Sequence, residues 1–127
     1  SVAAALVASV ANAQTPTPAV RTERNISLAL ANDIAGATVT ACSANGYAVT
    51  ATVVDRAGGV RAVQRADNAG PHTLAASQQK ALLLGGGVPI RVGNDVIGAV
   101  GAGGAPGGHL DEQCAMVALD KVKDQLK

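Results

Sequence analysis

The residues able to do chemistry in this chain of 127 residues are few: two histidines, two cysteines and a glycine-rich block near the end. His72 follows Pro71, and proline is at home where a helix begins because its missing N–H costs nothing there. A helix N-terminus disfavours positive charge, so an imidazole there stays neutral, with a lone pair free for a metal ion. The competing reading is an exposed histidine near a cap that bonds a neighbouring carbonyl. His109, Asp111, Glu112 and Cys114 form an H-x-D-E-x-C run. These are metal-binding types, but the spacing is neither CxxC nor HxxxH. The carboxylates sit in the first turn of a helix, which its dipole favours, and a structural role is the stronger reading. Gly101-Ala102-Gly103-Gly104-Ala105-Pro106 lies between a strand and a helix, as a dinucleotide fingerprint does. Pro106 replaces its third glycine, and no parallel βαβ unit is available. What remains is that free N–H groups ahead of Leu110 could take a carboxylate or phosphate. Asp55, Asp67, Arg61 and Arg65 border turns or strands, where surface pairing is the default. No Ser/His/Asp arrangement has the spacing of a nucleophile elbow.

Five elements must position these groups. Ser27 is an N-cap candidate for a helix over residues 28–43, with Leu30, Ile34, Ala37 and Ala41 as its apolar stripe and Asn45-Gly46 as its left-handed end. Residues 47–55, rich in β-branched side chains, form a strand. Arg56-Ala57-Gly58-Gly59 turns the chain into a partner strand over 60–65. After the loop Asp67-Asn68-Ala69-Gly70, residues 71–81 make a short helix. A second hairpin follows, 88–92 and 96–102, joined at Gly93-Asn94-Asp95, where residues tolerant of positive φ are needed. Residues 110–126 form the last helix, with Leu110, Cys114, Val117 or Ala118, Val122 and Leu126 as its stripe. Helix, hairpin, helix, hairpin, helix is an α+β sandwich: an antiparallel sheet covered by the terminal helices.

Composition narrows the function classes. The net charge is +1, there is one tyrosine, and phenylalanine and tryptophan are absent. Nucleic-acid binding needs a basic footprint or stacking aromatics, and neither is here. A core of Ala, Val and Leu buries little area per residue, which points to homo-oligomers that bury more between subunits. Residues 1–13 are apolar but shorter than the roughly 20 residues of a membrane span. They end in Ala11-Asn12-Ala13, a small-x-small signal-peptidase pattern, so 1–13 reads as a signal-peptide remnant and 14–25 as an extended leader. The mature chain, without a membrane span, is then periplasmic or secreted. In an oxidising compartment Cys42 and Cys114, on stripes of helices expected side by side, read as a disulfide; the alternative is two buried free thiols.

The segments VVDRAG, RADNAGPHT, GGGVPI and GAVGAGGAPGGHLDEQCA occur in that order. With them, the chain from Ile26 onward resembles the HbpS/GlcG-like family of small haem-binding or haem-degrading proteins. The resemblance implies a single domain over 26–127, a profilin-like α/β/α fold, higher oligomers, and haem or a related small-molecule ligand. It also implies that a further helix and loop of the family is missing between Ala81 and Leu82. On that footing His72 is the candidate iron ligand and Thr73, Gly86 and Gly87 are candidate contacts; a hydroxyl or carboxylate such as Thr73 or Asp67 is the substitute ligand. Leu82, Leu83 and Leu84 with the glycine-lined hairpin would supply apolar surface. A haem-binding protein, a haem-degrading enzyme and a ligandless structural remnant all stay open.

Overall fold

The computed structural model describes residues 16–83 and 87–127. The apolar run 1–13, read as a signal-peptide remnant, lies outside the described residues, as does Gly86. The elements in order are α1 (Leu28–Ala44), β1 (Thr50–Asp55), β2 (Val60–Arg65), α2 (His72–Leu82), β3 (Val88–Val92), β4 (Asp95–Gly103) and α3 (Gly108–Lys121), with a 3₁₀ turn at Lys123–Gln125. The four strands form one antiparallel sheet in the order β2-β1-β4-β3, so each hairpin contributes one central and one edge strand. Helices α1 and α3 lie side by side on one face and α2 covers the other, which is the expected α/β/α sandwich.

Local chemistry sets the element ends. Ser27 caps α1, its Oγ accepting from the Leu30 N–H at 3.1 Å. At the other end the Tyr47 N–H donates to Cys42 O and the Gly46 N–H to Ser43 O, a Schellman pairing made possible by φ +83° at Gly46. In the β3–β4 turn Gly93 carries the positive φ, +60°, at the first loop position. Asp55 organises the β1–β2 turn by accepting from the N–H groups of Ala57 and Gly59 at 3.0 and 2.9 Å.

Three sequence expectations need correction. The strand expected from residue 47 starts at Thr50, because its partners β2 and β4 end at Arg65 and Gly103; beyond them only the Val49 carbonyl is still bonded across, to the Ala66 N–H at 2.9 Å. The buried stripe of α1 is Ala31, Ile34, Ala35, Thr38 and Cys42 rather than Leu30, Ala37 and Ala41, which are only half-buried. The last helix ends at Lys121; after Val122 the chain tightens into the 3₁₀ turn, which keeps both Val122 and Leu126 against the core. On α3, Val117 is exposed and Ala118 is the buried member of the pair.

Cys42 and Cys114 form a disulfide with a Cα–Cα separation of 5.3 Å, joining α1 to α3 across 72 residues of sequence. Among the described residues no helix is long and apolar enough to cross a membrane.

Candidate functional site

The loop from Ala66 to Pro71 is built to present the first turn of α2. The Arg65 guanidinium donates to Ala69 O at 2.6 Å, and Asn68 takes a positive φ of +69°. Pro71 then enters the helix with φ −62°. His72 comes next, exposed, with its ring lying back over Gly70: a methyl group at residue 70 would stand 2.5 Å from His72 Cε1 and 2.6 Å from Nδ1. Among the described residues the ring has no hydrogen-bond partner, so it is exposed without the carbonyl bond of the competing reading.

Thr73 points the other way. It is buried, its Oγ1 donates to Gly70 O at 2.6 Å, and the same oxygen lies 2.7 Å from Thr50 Oγ1. Since the Thr73 proton is spent on Gly70, Thr50 is the donor between the two hydroxyls. Thr73 therefore fastens the turn that carries His72 to strand β1. One turn along, Ser77 repeats the arrangement, donating to Leu74 O at 2.9 Å and meeting Thr52 Oγ1 at 2.7 Å.

Gly87 sits at the far end of α2. A side chain there would collide with Lys80 O, so the glycine lets the chain press against the last helical turn. From His72 to Lys80 the helix rises about 12 Å, so His72 and Gly87 are not brought together. Beside Gly87, a groove of about 220 Å³ opens between the end of α2 and the strands, lined by Leu82, Leu83, Pro89, Arg91, Val96 and Ala99. A wider, more open hollow of about 540 Å³ borders the loop before α2, with Tyr47, Arg65 and Asp67 on its walls.

The run at the start of α3 does not converge on a metal. Among the described residues no group of His, Cys, Asp and Glu could hold one, and Cys114 is committed to its disulfide. Asp111 is buried; it takes the Lys80 ammonium at 2.6 Å and the Ala105 N–H at 3.0 Å. The carboxylate that the glycine loop binds is thus the chain's own. Sequence reasoning missed this pair, because nothing local ties a lysine of α2 to an aspartate 31 residues away. It also missed Asp95, which gathers Arg56 at 2.5 Å and Arg24 at 3.1 Å at the turn end of the sheet. The hydrogen bond from Arg56 chiefly, with Arg24 helping, holds the Asp95 carboxyl below its usual value.

The model of a family described as haem degrading protein HbpS-like matches residues 26–83 and 76–120, two stretches that overlap over 76–83. Among solved structures, a double mutant of Streptomyces reticuli HbpS superposes with a TM-score of 0.75 at 26% identity, covering 87% of this chain and 98% of that one. Klebsiella pneumoniae protein ORFY gives 0.74 at 26% identity over 84% of this chain and 96% of its own. A PduOC–heme complex shares the fold, with a TM-score of 0.66 at 16% identity over 76% and 94% of the two chains. No curated protein matches.

Proposed function

The chain belongs to the HbpS-like family, and we propose from that membership that it is an exported haem-binding protein in which His72 meets the iron. The observation that carries the reading is the state of His72: an exposed imidazole without a partner among the described residues, in a segment the family match covers. Haem iron takes a histidine nitrogen as an axial ligand, and a solvent-facing ring at the start of α2 fits a haem held at the surface. Thr73 acts from below, fixing the turn by its bonds to Gly70 and Thr50. That one solved relative of this fold is a complex with heme supports the ligand class. Bound haem would supply a redox-active iron; the protein's own part is to place one nitrogen beside it.

Titrating the purified protein with haemin tests this. The parent should give a shifted Soret band, His72→Ala should abolish or displace it, and His109→Ala should leave it as in the parent. If both variants bind like the parent, His72 is only a histidine near a cap. The family's description as haem degrading favours a second reading, an enzyme that consumes the haem it binds. Loss of the Soret band when a reductant is supplied under oxygen would select it. If no haemin binds and none raises the melting temperature, the ligandless remnant is left. We further propose self-association, supported by the exposed apolar side chains Leu28 on α1 and Met116 and Val117 on α3. Light scattering should give a multiple of the chain mass at micromolar concentration; a monomer mass would overturn it.

A further inference from the structure

We propose that the groove beside the end of α2 binds a small amphipathic carboxylate, with Arg91 pairing the acid and the walls covering the apolar part. The walls are apolar and open: Leu82 and Leu83 are 57% and 64% exposed, and Pro89, Val96 and Ala99 complete them. Arg91 shares its strand face with Pro89 through the two-residue alternation of β3, and an irregularity in the β3–β4 register turns Val96 to the same side. Ile90 faces Gly98 and Arg91 faces Val96, so Ile97 is left over and goes into the core. Arg91 and Val96 then open on the same side as Pro89 and Ala99.

Charge complementarity selects the occupant. Arg21, Arg24 and Arg56 pair with Glu23 or Asp95, and Arg65 holds a carbonyl; Arg61 on the edge strand β2 has no partner among the described residues but does not line this groove. Arg91 has neither an ion pair nor a hydrogen bond among the described residues. The nearest acid in sequence, Asp95, is already held by Arg56 and Arg24, and Asp111 is taken by Lys80. A guanidinium at the mouth of an apolar groove, with no acid of its own, matches the planar fork of a carboxylate. At about 220 Å³ the groove falls below the roughly 300–1,000 Å³ of drug-sized sites, so it takes a short chain or one edge of a larger molecule. The site is separate from His72, which stands at the opposite end of α2, and does not rest on the haem reading.

Calorimetric titration of the full chain with octanoate and octan-1-ol distinguishes charge from apolar contact. Octanoate should bind at least about tenfold tighter than the alcohol, the step expected of one charge-assisted pair. Arg91→Gln should bring octanoate down to the level of the alcohol and leave the alcohol unchanged, and Arg91→Lys should restore part of the difference. Arg91 is exposed and unpartnered, so these changes leave the fold intact. Equal binding of acid and alcohol by the parent, no binding of either, or a preference that survives Arg91→Gln would each overturn the proposal. Haemin titration of Arg91→Gln keeps the two sites apart: an unchanged Soret shift is the expected result, and its loss would merge them and overturn the separation.

Discussion

The two faces of the sheet are held by different physics. Toward α1 and α3, Ala51, Val53, Val100 and Ile90 bury against Ala31, Ile34, Ala35 and Ala115, and the disulfide ties the two helices together. Toward α2 the same central strands present Thr50, Thr52, Gly101 and Gly103, and the helix answers with Thr73, Ser77 and Ala81. One face is thick and apolar; the other is thin, with backbone near backbone and hydroxyls between. The alternation of β1, Thr-Ala-Thr-Val, divides these roles between the faces. Apolar burial is non-directional and sums with area, whereas a hydroxyl pair is worth about 1 kcal/mol net but fixes where the helix sits along the strand. The α1/α3 face thus supplies most of the stability, and the α2 face supplies the placement of His72 at one end of α2 and the groove at the other.

The disulfide is the largest single contribution expected on the thick face. Closing a loop of 72 residues stabilises by about 4 kcal/mol in the chain-entropy account. The double variant Cys42→Ala/Cys114→Ala should lose about that much in urea unfolding. A loss below about 1 kcal/mol would show that the thick face rests on apolar burial alone.

The thin face breaks differently. A methyl group at Gly101 would lie inside contact distance of Ser77 O and Ala81 N, both backbone atoms that cannot swing aside. Gly101→Ala should therefore cost about 3 kcal/mol, since inserted carbons in a tight interface force backbone shifts. Gly108→Ala, which meets nothing within 4 Å, serves as the control. If the two variants are equally stable, α2 does not depend on close approach to β4.

These differences explain what could be read in advance. The Ser27 cap, the Asn45-Gly46 end and the strands 60–65 and 88–92 rest on neighbours in sequence, and their structure matches the expectation. The stripe of α1 was faint because Ala, Val and Thr are spread around the helix, leaving little periodicity to separate Ala31 and Ala35 from Leu30 and Ala37. The burial of Asp111 depends on Lys80 and Ala105, and no local rule connects the lysine with them. At the candidate site, Pro71-His72 signalled a helix start from sequence alone. The distance between His72 and Gly87 did not, because it follows from α2 running straight through Leu82. Arg91 shares a face with Pro89 by simple alternation, but the groove also needs Val96, which a register shift visible only in the paired strands turns to that side.

The smallest expected effect lies at the turn end of the sheet, where neither apolar burial nor hydroxyl pairing reaches. There Asp95 joins the leader to the β1–β2 turn through Arg24 and Arg56, and Arg56 also reaches Glu23 and the Val96 carbonyl. The Asp95 carboxyl is held below its ordinary value, first by its hydrogen bond from Arg56, and the Arg56 guanidinium is raised in return. A group whose folded pKa is depressed contributes stability above its unfolded pKa and loses it as pH falls through the folded one. The contribution should thus be complete at neutral pH and fade below the ordinary carboxylate range, about pH 4. These groups are exposed and screened by salt, so the loss should be small and local: amide protection of Arg56 and Val96, relative to the intrinsic exchange rate, should fall on acidification, with that of Val53 and Val100 unaffected. Asp95→Asn should remove the pH dependence of protection at Arg56 and leave the rest of the protection pattern in place. If the parent and Asp95→Asn show the same pH profile at Arg56, the arginines do not use the carboxylate to hold the leader.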